Sequence, residues 1–421
     1  MLLMMIFLLI QGLTLFLLRQ AVVGIDFYLE EISIFLLFIN SLVVVFGCGK
    51  AAKNKKEFFI LFFAYAIRIC TLLWDLFGRE VFILPSSGID TEVFHQYAVF
   101  FAEGSEIHRG GVYFRLIGMI YRLFGIQRIT AQYFNVLLSM FSIFIVKKIM
   151  TNLALTQKTR ELALLLMAFL PYYIIMSAIL LRESIIIFLI TLSLYHFIKW
   201  WQTSHLFNAI LALIFPLIAA LFHSGSMAPM IAYAWVYLFY SPKNQRYKFT
   251  LKSTLVASLF LGSFFLIENI FGTGMFRQFE RINSMDDIVD VTVRGGAGYL
   301  RWMEATGTVG MLLFSPIRMF YFIASPLPWY WRGFHDIFGF IGSALFYTLS
   351  YYYLFRNLRN KQHPYHQLIV AFIIITLFST FMFAWGVNNA GTALRHRDKF
   401  IGIFVIAFAV GMENLRNKQI R

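Results

Sequence analysis

The sequence predicts an all-α, polytopic integral membrane protein, and three observations predict it. Of 421 residues 60% are hydrophobic and only 14% charged, with a mean hydropathy of +0.72, which is more apolar surface than a soluble core hides. Long apolar runs such as Phe58 to Leu73 and Leu368 to Ala384 show neither strand alternation nor a polar helical face. They read as helices whose backbone bonds to itself inside hydrocarbon. The 36 Lys and Arg residues, the source of a net charge of +15, cluster in short loops between those runs, the pattern of a cytoplasmic membrane face rather than of a nucleic-acid surface.

The N-terminal run Met1 to Leu18 has no basic leader and no small-residue cleavage site, so it reads as a retained first helix. Basic loops at 50–56, 147–160, 243–252 and 356–361, with the tail 416–421, are assigned to the cytoplasm. They separate about twelve spans, judged against a spanning length of roughly 20 residues: 1–18, 31–48, 58–76, 128–149, 161–178, 183–200, 206–222, 225–240, 250–267, 335–354, 367–386 and 399–413. Both termini then face inward. Met311 to Pro328 carries Pro316, Pro326 and Pro328 and reads as a re-entrant or interfacial element. Val112 to Gly125, with Arg115 and Arg122 among aromatics, reads as a helix lying in the interface. Two long segments, 78–111 and 268–310, face outward as insertions on a single helical domain, 1–421. No internal repeat of fixed period is visible, which weighs against an inverted-repeat transporter. Cys48 and Cys70 lie in or beside apolar runs, as small hydrophobes rather than a disulfide or metal pair.

An ionisable group at membrane depth costs about 2.5–3.5 kcal/mol on insertion scales, so each one raises a functional question. Arg68 and Asp75, two turns apart on the third helix, are either an ion pair or a ligand contact. Four outward clusters follow. Asp90 opens a short helix, as its N-cap or as a general base, with Glu92 and His95 within the next turns. Arg182 and Glu183 occupy an outer hairpin, as an ion pair marking a tight turn or as substrate contacts. His223 sits in the hairpin Phe222 to Ser226, as a satisfied polar group or a substrate contact. Finally, Arg395, Arg397 and Lys399 stand at an outer helix mouth where the positive-inside rule disfavours them. Binding a phosphate explains that placement, because a guanidinium holds two phosphate oxygens at once; snorkelling to lipid headgroups is the alternative.

In order and placement these clusters resemble the GT-C superfamily of membrane glycosyltransferases, which use polyprenyl- or dolichyl-phosphate-linked sugars. The likeness lies in an acidic residue in the first large outer loop, Asp90, followed by Tyr97 and Ala98, and in a late outer loop carrying Arg395 and Arg397. Here the acidic loop follows the third helix, which makes the first two an N-terminal addition, and a second acidic motif is not evident. The resemblance implies that Asp90 accepts the proton of an acceptor hydroxyl. It implies that Arg395 and Arg397, with Arg182, hold the lipid phosphate and offset charge on the leaving group. Glu183 or Glu92 orients a basic group or a sugar hydroxyl, and His95 and His223 contact substrate. The implied partners are a polyprenyl-phosphate-linked sugar donor, a saccharide or lipid-linked acceptor and the bilayer, with no nucleic acid. No cofactor is implied, and metal dependence stays open. The implied location is an inner or plasma membrane, with the active site on the periplasmic or extracellular side, where Asp90 and the arginine pair share a cavity.

Two other readings remain. One is a repeat-unit polymerase or ligase of the O-antigen or capsule type, resting on arginines of two outer loops, Arg277 to Arg301 and Arg395/Arg397. The other is a lipid-linked saccharide transporter or flippase, against which stand spans that are nearly pure hydrocarbon apart from Arg68 and Asp75.

Overall fold

Among the described residues almost every element is a helix, in keeping with the apolar composition; a short β hairpin pairs Tyr240–Ser241 (β1) with Arg246–Tyr247 (β2). The computed structural model describes residues 2–22, 24–105, 111–242, 244–251, 253–256, 258, 297–300, 303 and 307–413. Most of the expected span 250–267 and of the outer loop 268–310, with Arg277, Arg281, Arg294 and Arg301, lies outside the described residues, as does the tail 416–421. The chain divides into two compact units, residues 1–147 with 164–188, and residues 148–163 with 189–421.

Unit 1 contains α1 (Leu2–Ala21), α2 (Leu29–Ala51), α3 (Lys55–Phe77), α4 (Ile89–Ala102), α5 (Val112–Phe124), most of α6 (Arg128–Asn152), the end of α7 (Gln157–Phe169), α8 (Pro171–Ala178) and the start of α9 (Glu183–Thr203). Local chemistry sets the ends. Asn54 caps α3 by accepting from Glu57 N at 2.8 Å, and the Glu57 carboxylate returns to Lys53 N at 2.8 Å, so two first-turn donors are satisfied reciprocally. In α5 the residues Tyr113, Phe114, Ile117, Tyr121 and Phe124 share one buried face at helical spacing. That face packs on α4, where Gly118 lets the backbones close up: a Cβ there would stand 2.9 Å from Ala98 O. Arg122, on the exposed side, donates to Phe101 O at 2.7 Å and Ala102 O at 3.3 Å, the last carbonyls of α4.

Arg68 meets a similar need at greater depth. Pro171 has no N–H to continue the ladder from α7 into α8, and the pair is bent by 51°. The carbonyl of Ala168 lies at that break. Arg68 Nη1 donates to it at 2.8 Å and to Ala64 O at 2.9 Å, Nε donates to Ser139 Oγ at 2.8 Å, and the guanidinium lies over the Tyr173 ring at 4.9 Å. Asp75 goes elsewhere: it accepts from Ser87 Oγ and Gln132 Nε2 at 2.5 Å each and from Arg79 Nε at 3.4 Å. The two residues serve separate partners rather than each other.

Unit 2 contains the remainders of α6, α7 and α9, then α10 (Leu206–Ala220), α11 (Ala228–Phe239), the β hairpin, α12 (Gly307–Ala324), α13 (Phe334–Gly339), a π-helical turn at Phe340–Ala344, α14 (Leu345–Leu358), α15 (His366–Ala384), α16 (Ala390–Asp398) and α17 (Ile401–Met412). Its core is α17, buried at every residue from Ile401 to Gly411. Two glycines allow that enclosure: a Cβ at Gly402 would stand 2.5 Å from Thr191 Oγ1, and one at Gly411 would stand 3.1 Å from the Tyr353 backbone.

Among the described residues six helices are long and apolar enough to cross a membrane, 25–51, 55–77, 128–152, 183–203, 334–358 and 366–384, with a seventh if α7 and α8 form one bent span. The twelve expected spans are not reached among the described residues. The shortfall is one of length. Helix α17 has 12 residues, about 18 Å at 1.5 Å per residue, against roughly 30 Å of hydrocarbon. It is apolar because protein surrounds it. Helix α11, also of 12 residues, has no exposed side chain, and α10 has 15 residues. The proline-broken segment also differs from expectation: α12 runs through Pro316 unbroken, and only Pro326 and Pro328 end it.

Candidate functional site

In unit 1 the cluster around Glu92 is organised by two guanidiniums. Gly88, not Asp90, is the N-cap of α4; Thr91 Oγ1 donates to Gly88 O at 2.8 Å and accepts from Gly88 N at 3.1 Å. Asp90 follows in the first turn and is exposed. Glu92 accepts from Arg79 Nη1 at 2.6 Å and from Arg128 Nη1 at 2.8 and 2.9 Å. Burial opposes ionisation, but Arg79 and Arg128 together hold the Glu92 carboxyl below its usual range. His95 Nδ1 and the Tyr121 hydroxyl are hydrogen-bonded at 2.8 Å. Burial first, and Arg128 second, push the His95 imidazole below its ordinary value, with Glu92 working the other way.

The second cluster adjoins the first. The Arg182 guanidinium lies 5.9 Å over the Phe94 ring, and Phe94 meets Tyr113 edge-on at 5.0 Å. Asn135 Nδ2 donates to the Tyr113 hydroxyl at 3.0 Å and to Ile179 O and Leu181 O at 2.9 Å each. That amide fixes the turn leading into Glu183, which is buried at the start of α9. Glu92, His95, Arg182 and Glu183 thus share one neighbourhood of unit 1, with Asp90 on its exposed edge. Its organisers, Arg79 and Arg128, were not singled out from sequence. Nor was the polar row along α6: Arg128, Gln132, Asn135, Ser139 and Ser142, all buried except half-buried Arg128. A four-three spacing of small polar residues within an apolar run was the available signal. The interior of these spans is accordingly more polar than their hydropathy suggests.

In unit 2 the structure gathers His223, His396 and Lys399 around Phe383, near the end of α15. The two imidazole rings are 4.9 Å apart, and they lie 5.2 and 5.1 Å from the Phe383 ring. Lys399 Nζ is 2.6 Å from His396 Nδ1. An ammonium only donates, so Nδ1 accepts and the imidazole proton sits on Nε2. Lys399 is buried, with its ammonium 5.3 Å over the Phe383 ring. Arg395, on the same helix, is half-buried. Asn389 caps α16, accepting from Gly391 N at 2.9 Å and Thr392 N at 3.3 Å.

Arg397, expected at a phosphate, has a structural engagement instead. It is fully buried, and its Nη1 donates to Phe322 O at 2.8 Å and to Ile323 O and Ser325 O at 2.7 Å each. It therefore ties down the carbonyl end of α12. Asp398 beside it accepts from the Tyr347 hydroxyl at 2.8 Å and, more weakly, from Ser343 Oγ at 3.5 Å in the π-helical turn. Burial pushes its carboxyl up to about 7, with Tyr347 and Arg397 opposing. Arg318 is hydrogen-bonded to the Asn388 side chain and lies 4.4 Å over Trp385.

Of the residues expected to act together, Asp90, Glu92, His95, Arg182 and Glu183 belong to unit 1, and His223, Arg395 and Arg397 to unit 2. Among the described residues no three His, Cys, Asp or Glu side chains converge to hold a metal ion. No family model, curated protein or solved structure matches this chain.

Proposed function

We propose that the chain is a membrane glycosyltransferase drawing a sugar from a polyprenyl-phosphate or polyprenyl-diphosphate carrier, and that His223, His396 and Lys399 receive the phosphate. The observation that carries this reading is the gathering of two imidazoles and a buried ammonium about one ring, with Lys399 Nζ 2.6 Å from His396 Nδ1. Preorganised cationic donors in a place of low dielectric stabilise the charge that builds on a departing phosphate oxygen. Arg395 adds a guanidinium from the same short helix. In the transfer an acceptor oxygen attacks the anomeric carbon, the bond from that carbon to the carrier phosphate breaks, and its electron pair leaves on the phosphate. The acceptor proton goes to a carboxylate base, the role that the sequence resemblance implies for Asp90. That role rests on the sequence resemblance and on the exposure of Asp90 beside a Glu92 already engaged by two guanidiniums. The basic loop before α15 favours an outward position for the Phe383 end of that helix.

The test is a transfer assay with a radiolabelled polyprenyl-phosphate sugar and the full chain in nanodiscs. Lys399→Met is expected to lower kcat/KM severely without altering thermal stability, and Asp90→Asn to abolish transfer. Wild-type rates in Lys399→Met would overturn the phosphate assignment. The polymerase or ligase reading is favoured by one observation, that all three basic groups of the cluster come from unit 2; under it Asp90→Asn keeps its activity.

A further inference from the structure

Helix α15 has a second opening at its other end. Gln367 and Phe383 lie more than four turns apart on this helix, about 24 Å along its axis, so the region around Gln367 is at the end of the helix away from the basic cluster. A cleft of about 370 Å³ opens there, walled by the ends of α6 and α9, the β hairpin and the start of α15. That volume suits a ligand of one or two rings.

The lining is polar but neutral. It presents the amides of Gln202, Gln245 and Gln367 and the hydroxyls of Ser204 and Tyr365, and among the described residues that line it none is charged. Two of these groups are fixed beforehand: Gln202 Nε2 donates to Asn152 O at 2.8 Å, and the Tyr365 hydroxyl donates to Leu153 O at 2.6 Å. Trp201 and Tyr240, stacked at 4.0 Å with planes 11° apart, form an aromatic wall. The backbone is also unusual at this point. Ser204 (φ 57°) and Gln245 (φ 49°) line the cleft, and Ala154 (φ 52°) adjoins it; all three hold left-handed conformations that side chains disfavour. Such strain persists where surrounding structure enforces it, and it collects at binding sites.

We propose that this cleft binds an uncharged polyhydroxylated ring, a sugar or cyclic polyol, as a site separate from the phosphate cluster. Amides and hydroxyls both donate and accept, as each sugar hydroxyl does, and an aromatic wall takes the apolar face of such a ring. A charged ligand would give up its hydration and meet no opposite charge in the lining.

The ring can arrive as a soluble saccharide or as the headgroup of a glycolipid, and two arms separate these sources. The full chain in phosphatidylcholine nanodiscs is titrated with maltose, and it is compared with chain in nanodiscs containing graded amounts of digalactosyldiacylglycerol. The readout is tryptophan emission, with Trp201→Phe expected to remove the signal. A saturable change with maltose identifies a soluble-sugar site, and a change only with the glycolipid identifies a headgroup site. Gln245→Ala, at an exposed hairpin position, and Gln367→Ala are each expected to weaken binding about tenfold. The proposal is overturned if neither probe produces a saturable change in folded wild type, if both glutamine variants bind as wild type does, or if inorganic phosphate displaces the sugar.

Discussion

The polar groups of unit 1 pair opposite signs, whereas those at the end of α15 in unit 2 bring like with like. Glu92 is held by two guanidiniums, Asp75 by one and by two neutral donors, and Glu57 by Lys147 at 3.0 Å. Each carboxylate is satisfied by donors from elsewhere in the same unit. His223, His396 and Lys399 instead gather three basic groups around the Phe383 ring, with Lys399 Nζ donating to His396 Nδ1. An anion arriving at Glu92 would meet a carboxylate already held by two guanidiniums, while one arriving at the Phe383 end of α15 would meet basic groups. The difference teaches where to look for a ligand: at the gathering of like groups, not at the densest network of hydrogen bonds.

Four experiments break or sharpen this contrast. The largest effect is expected at Lys399→Met, with a loss of about a thousandfold in kcat/KM, or ~4 kcal/mol, read in the transfer assay; an equal loss in Arg79→Met would erase the contrast. Next comes Asp398→Asn. The Asp398 carboxyl is raised to about 7 in the fold, so between its ordinary value near 4 and pH 7 the folded state keeps a proton that the unfolded state has lost. Stability therefore falls as pH rises through that window. The two proteins should melt alike below about pH 4, and above pH 7 the asparagine variant should be more stable by on the order of 3–4 kcal/mol. Arg397→Met strips one donor from three carbonyls and is expected to cost about 3 kcal/mol, seen as a lower melting temperature in detergent. The smallest effect is expected at Arg128→Met, about 1–2 kcal/mol, because Glu92 keeps Arg79 and is itself partly in solvent.

The helical membrane class and the spans built on α2, α3, α6, α9, α14 and α15 were legible because run length and hydropathy are local properties. The number of spans was not, since α11 and α17 are apolar for the sake of protein neighbours, and no local rule distinguishes burial in protein from burial in lipid. Glu92, His95, Arg182 and Glu183 stood out as ionisable residues between long apolar runs. Arg397 was read like Arg395 because both are cations at one helix mouth. Helical phase separates them: Arg395 and His396 stand four and three residues before Lys399, at the spacings that bring helical side chains together, while Arg397 is only two before it and reaches α12. What three-residue bookkeeping cannot supply is the partner, here a set of carbonyls more than seventy residues away in sequence.

Arg68 also has a bearing on the order in which the molecule is made. Its acceptor at Ala168 lies 100 residues downstream, which at synthesis speeds of about 5–20 residues per second leaves the guanidinium inside or beside the translocation channel for on the order of 5–20 s before the kinked segment emerges. During that interval α3 has to be held by a wet channel or a chaperoning helix rather than released to lipid. The kinked segment, once it arrives, finds a guanidinium donor for its Ala168 carbonyl already in the chain.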